Sequence, residues 1–233
     1  KGANIGASKP GYWFGELAID EGTYSRWLDR ISRMNANTVL VYTLQKPAFY
    51  RALCKHNVEH PARRLWLIQQ AWPRDQGILN DLYARNLTDE YKREITFTAD
   101  ALAGRANIPE RRGLAWGKYT ADVMPYVMGV LVGREITNLE AKETNAKNPG
   151  RTSHGGRFVR TGAAASPVEV WCAEMADLLA RRVSRNGWTV PVGYVSWPTL
   201  DPLYHPTERT EGVPKYREVD DSQVLDPRHL AVG

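Results

Sequence analysis

Short runs of β-branched and apolar residues alternate along this chain with longer stretches whose apolar side chains recur every three or four positions. Residues 2–7 are a short strand candidate that leaves through Pro10 and Gly11. Tyr24, Trp27, Leu28, Ile31 and Met34 fall at helical spacing and make one apolar face. Residues 37–44 (NTVLVYTL) carry the mark of a strand buried on both faces. Pro47 can open a helix running to about Asn57. A third strand at 65–71 ends in Trp72-Pro73, and Thr88-Asp89-Glu90 opens a helix with Tyr91, Ile95 and Leu102 inward. Residues 126–132 (YVMGVLV) make a fourth strand. Ser166-Pro167-Val168-Glu169 reads as a capping box whose helix ends at Asn186-Gly187, ahead of a fifth strand at 190–197. The stretches 104–122 and 137–165 read as long loops, and the tail from Pro198 as loop.

Repeated strand–helix alternation implies a mostly parallel sheet with crossover helices, either an open doubly wound sheet or a closed (β/α)8 barrel. Phosphate-cradling signatures that often mark the open class are missing, with no GxGxxG after a strand and no GxxxxGK[ST]. At five strands in 197 residues, eight strands project to roughly 300 residues or more. On the barrel reading the chain is one domain, residues 1–233, holding the N-terminal units.

The net charge of +5 comes from scattered arginines with no long basic run, so nucleic acid is not expected as a partner. A nucleic-acid-binding α/β domain remains a third reading, recognisable by binding that falls steeply with salt. No run of 18 apolar residues is present, so no membrane span is expected. The Lys1-Gly2-Ala3-Asn4 start has no Met and no apolar signal core, and reads as a processed end or the edge of a longer chain. Cys54 and Cys172 cannot make a disulfide framework and leave the redox compartment open. Eight Trp and eleven Tyr stand against four Phe. Rings with a polar handle suit half-wet surfaces such as a sugar cleft, although any single one can be core.

Functional residues of parallel α/β sheets gather after strand C-terminal ends. Glu135 follows the fourth strand, where it can act as a general acid or form a rim ion pair with Arg134. After the fifth strand, Trp197, Asp201, His205 and Glu208 lie on a proline-rich rim loop. A metal there lacks an HExxH motif and a second local His, so none is expected. No GxSxG nucleophile elbow is present. Trp72 and Trp197 are candidates to stack on sugar rings, and Asn4, Tyr42 and His205 to hydrogen-bond from the same rim.

The segment Asn37-Thr38-Val39-Leu40-Val41-Tyr42 with Pro47-Ala48-Phe49-Tyr50 resembles the second βα unit of (β/α)8 glycoside hydrolases. The clan is the retaining one that includes the fungal-wall β-glucanosyltransferases. More closely, the chain resembles a bacterial group of glycoside-hydrolase-like barrels. Its shared pieces stand here as Gly2-Ala3-Asn4, 37–57, 117–135 and 197–208 (WPTLDPLYHPTE), so the likeness covers nearly the whole chain. The resemblance implies the first five to six βα units of a TIM-type barrel, with Glu135 in the acid/base position; on the enzyme reading Arg134 would tune or orient it. It places the nucleophilic carboxylate on a seventh strand that this chain does not contain, about 5 Å from the acid in such enzymes. No cofactor is implied. Two positions depart from the clan: Arg134 stands where Asn precedes the Glu, and Leu40 stands where an Arg helps hold the nucleophile.

Two readings follow. The first is a retaining glycosidase or transglycosidase acting on a β-linked glucan or exopolysaccharide. The second, suggested by Leu40 and Arg134, is a catalytically inactive polysaccharide-binding or scaffolding barrel within a larger envelope protein. Both favour an extracellular or cell-envelope location and an oligo- or polysaccharide partner.

Overall fold

The computed structural model describes residues 1–73, 81–195, 200, 202 and 225–232, with the backbone alone at Arg85. Among the described residues nine strands form: β1 (Gly2–Ile5), β2 (Thr38–Val41), β3 (Trp66–Ala71), β4 (Asn107–Ile108), β5 (Gly117–Lys118), β6 (Val127–Gly133), β7 (Val159–Thr161), β8 (Val192–Val195) and β9 (Leu230–Val232). Five α-helices accompany them: α1 (Glu21–Arg33), α2 (Pro47–Glu59), α3 (Arg85–Leu102), α4 (Asn138–Lys147) and α5 (Pro167–Arg185). The chain is α/β, with β1-β2-β3-β6-β8 making one five-stranded parallel sheet. Gly2 pairs with Thr38 and Ile5 with Val41, and the next pair of strands aligns Thr38 with Trp66 and Val41 with Gln69. Each strand lies beside the next one of this sheet in chain order, without the reversal that defines a doubly wound sheet. The described sheet does not close, and β1 and β8 are its edges.

The chain divides into two compact units. The first comprises Lys1–Trp72, Glu94–Leu131 and Arg182–Gly193. Here α1 packs against α2, and the strand faces differ. Val39, Val41, Leu67 and Ala71 are wholly buried, whereas Asn4, Leu40, Tyr42 and Ile68, on the alternate face, are half-buried or exposed. Three of the tyrosines, Tyr24, Tyr50 and Tyr119, prove to be core. Tyr24 packs edge-on to Phe49, Phe49 to Tyr50, and Tyr50 to Tyr119, with ring centroids 5.1–5.6 Å apart. Tyr24 Oη donates to Gln45 Oε1 and Tyr50 Oη to Gln69 Oε1, both at 2.8 Å; Tyr119 Oη donates to the Gln45 carbonyl. Burial pushes all three phenols up, so they stay neutral donors. Asn57 of α2 bonds both backbone groups of Leu65 and so fixes the entry to β3.

The second unit comprises Pro73–Arg93, Val132–Arg181 and Tyr194–Gly233. Tyr91 stacks on the buried Trp171, centroids 5.4 Å apart. Glu169, in the first turn of α5, reaches back to the Ser166 N–H at 2.8 Å, as the capping motif requires. The same buried carboxylate also accepts from the Asp226 N–H at 2.7 Å and lies 3.0 Å from His229 Nδ1. Beside it β7 pairs antiparallel with β9, Val159 opposite Val232.

Three expected loops therefore contain structure. The stretch 104–122 holds the β4–β5 ribbon, 137–165 holds α4 and β7, and the tail holds β9. Strands of two or three residues are too short to carry alternation. The inward side of α4 is Asn138, Glu140, Ala141 and Thr144, so it has no apolar stripe to recognise.

Candidate functional site

Glu135 sits on a corner built by its neighbours within the second unit. The last residue of β6, Gly133, has φ +89°, and a Cβ there would lie 3.0 Å from the Val195 carbonyl. Only glycine fits both demands. Its N–H donates to Tyr91 Oη. The Ile136 N–H then donates to the Arg134 carbonyl at 2.7 Å, a γ-turn centred on Glu135. Ile136 is wholly buried and anchors the far side. Thr137 caps α4 in a reciprocal box with Glu140, receiving the Glu140 N–H at 3.3 Å and donating its own N–H to Glu140 Oε2 at 3.1 Å. With its neighbours turned inward, Glu135 is exposed, and among the described residues nothing pairs with its carboxylate.

Arg134 faces a different partner from the one expected. Its guanidinium forms a two-pronged ion pair with Glu140, Nη1 to Oε2 at 3.1 Å, both side chains largely buried. The fork is spent on holding the corner, and Glu140 rather than Glu135 receives the charge. Sequence reasoning missed Glu140 and Tyr91 as supports of the corner. Thr137-Asn138-Leu139-Glu140 did carry a T-x-x-E signal, but no apolar run follows it.

Three other expected residues meet in the first unit. Asn4 Nδ2 donates to Tyr42 Oη at 2.6 Å, and the Tyr42 ring stands edge-on to Trp72 at 6.1 Å and 90°. Their register explains the meeting. Asn4 pairs with Leu40, Tyr42 is two residues on, and Trp72 directly follows β3. Asn4 and Tyr42 are exposed and Trp72 is half-buried, so an amide, a phenol and an indole form a half-wet patch. Such a patch can meet the apolar face of a pyranose and its hydroxyls together. Leu40 is half-buried on β2. Trp197, Asp201, His205 and Glu208 lie outside the described residues.

Among the described residues no group of three His, Cys, Asp or Glu side chains could hold a metal, and no helix is long and apolar enough to cross a membrane. Both cysteines are free thiols on helices, Cys54 on α2 and Cys172 buried on α5. No protein-family model matches the chain, and neither a curated protein nor a solved structure matches it.

Proposed function

We propose that the chain is part of a (β/α)8 glycoside hydrolase or transglycosidase acting on a β-linked glucan or exopolysaccharide, with Glu135 as its acid/base. The observation that carries this reading is the corner at 133–140. An exposed carboxylate stands two residues beyond the end of a parallel-sheet strand, and its cationic neighbour is bound to Glu140. A barrel enzyme keeps its proton-transfer groups after strand C-terminal ends. The strand order without reversal supports the barrel progression. So does the open sheet face of Asn4, Leu40, Tyr42 and Ile68, which further strands would enclose.

In this reading Glu135 protonates the departing glycosidic oxygen, then deprotonates water or an acceptor sugar once the intermediate has formed. The nucleophile is a second carboxylate about 5 Å away, on a later strand. The Asn4–Tyr42–Trp72 patch of the first unit binds a sugar ring. Leu40 favours a second reading, since an aliphatic residue replaces the arginine that would steady that nucleophile. In that reading the fold is a polysaccharide-binding barrel in the cell envelope.

Product release from a panel of β-glucans and bacterial exopolysaccharides, for the parent and Glu135→Gln, separates the two. Turnover that the variant loses by at least 100-fold, with binding kept, is the expected result. Binding without turnover in both proteins selects the non-catalytic barrel, and neither binding nor turnover overturns the carbohydrate reading.

A further inference from the structure

The loops after β1 and β2 and the β4–β5 ribbon border a second feature of the first unit, a pocket open to solvent. A cavity of about 350 Å³ opens at the start of α2, within the ~300–1,000 Å³ range of small-ligand sites. Lys46, Arg51 and Lys118 line it together with Trp116, and Ile19 and Pro47 supply apolar lining. No acidic side chain is among its lining residues. Arg51 is already paired with Glu21 at 2.8 Å. Lys46 and Lys118 have no carboxylate partner among the described residues, so two positive charges face one small space uncompensated. Lys46 Nζ lies 3.7 Å from the Trp116 ring centroid, an arrangement that fixes both the ammonium and the indole.

The ribbon comes close to the start of α2 at one rim of this open pocket. Gly117 has φ +124°, and a Cβ there would stand 3.1 Å from Pro47 Cγ. A glycine at that point lets the ribbon approach the helix and places Trp116 and Lys118 on either side of the contact. The helix end adds to the potential without being needed for it, since α2 starts on proline with no acidic residue in its first turn.

We infer that this cavity is a subsite for an anionic sugar, taking the carboxylate of a hexuronate unit between Lys46 and Lys118 with the ring against the apolar lining. The inference rests on the saccharide reading above and names its substrate class, an acidic rather than a neutral polymer. Ammonium groups on a half-buried Lys46 and an exposed Lys118 contribute modestly to affinity, so the expected preference is about three- to tenfold.

The test compares binding of a linear β-glucan with the same glucan oxidised at C6 to the uronate, at low and at 0.5 M salt. The parent should bind the oxidised polymer about three- to tenfold tighter at low salt, and the ratio should fall toward one at high salt. Lys46→Gln/Lys118→Gln should bring the ratio toward one at low salt, and Lys118→Gln alone, at an exposed position, should bring it part of the way. A control, Arg33→Gln/Lys55→Gln, removes the same charge from exposed sites elsewhere in the unit and should keep the parent's ratio. Equal binding of both polymers by the parent, an undiminished ratio in the cavity variants, or an equal drop in the control overturns the subsite while leaving the saccharide reading intact. Failure to bind either polymer overturns the saccharide reading and the subsite with it.

Discussion

Replacing Glu140 by glutamine asks whether charge holds the corner that presents Glu135. Glutamine keeps an oxygen that can accept from the Thr137 N–H, since either residue serves in a capping box. Only the charge opposite Arg134 is lost. At 3.1 Å between Nη1 and Oε2, the gross attraction is about 5 kcal/mol at an effective dielectric near 20. Desolvation of both groups offsets much of it. Their side chains are only 12% and 6% exposed, so removing one partner strands the other in the interior, at a cost of roughly 3–5 kcal/mol. Arg134→Met with Glu140→Gln should recover most of that loss, because no buried charge remains. Urea unfolding at pH 7 of the parent, both single variants and the double gives the coupling energy from the shifts in midpoint at constant slope. We expect about 2–4 kcal/mol. A value below about 1 kcal/mol, the range of exposed pairs, would refute the argument and leave the helix cap, Ile136 and the Tyr91 hydrogen bond to hold the corner.

Other expectations follow from the same geometry. Asn57→Ala should cost roughly 2–5 kcal/mol, because it orphans both the N–H and the carbonyl of the buried Leu65; a loss under 1 kcal/mol in urea unfolding would show that these bonds are replaced. Asp20 caps α1, and the Thr23 N–H and nearby Lys9 hold its carboxyl at about 2, below the ~3.9 of an unfolded chain. Its contribution is therefore complete above about pH 4 and is lost as the pH falls toward 2. The stability gap between the parent and Asp20→Ala at pH 6 should narrow on acidification, and a constant gap would contradict the assignment.

Much of the parallel sheet was legible because its strands are apolar runs and its helices α1, α2 and α5 carry a stripe or a cap. Residues 37–44 read as a strand for the same reason that Val39 and Val41 are wholly buried. Helix α4 escaped because polar side chains fill its inward positions, and the small ribbons because pairing across a few residues leaves no periodicity. The aromatic surplus pointed partly in the wrong direction. Tyr24, Tyr50 and Tyr119 use their hydroxyls on Gln45 and Gln69 inside the core, a choice that composition cannot reveal. Strand ends alone placed Glu135 just beyond β6 in the second unit and, separately, brought Asn4, Tyr42 and Trp72 to one patch of the first. The partner of Arg134 was not legible, because adjacency along the chain suggested Glu135 while the turn at 134–136 directs the guanidinium to Glu140.

The triple use of Glu169 bears on how the chain is made. Its partners at Asp226 and His229 lie 57 and 60 residues further on, so the start of α5 emerges from the ribosome well before they do. In that interval the carboxylate must stay hydrated and β7 must wait with an open edge. The second unit is thus completed from its distal end, and synthesis that stalls before residue 226 releases a chain with an unpaired strand, ready to pair with a neighbour.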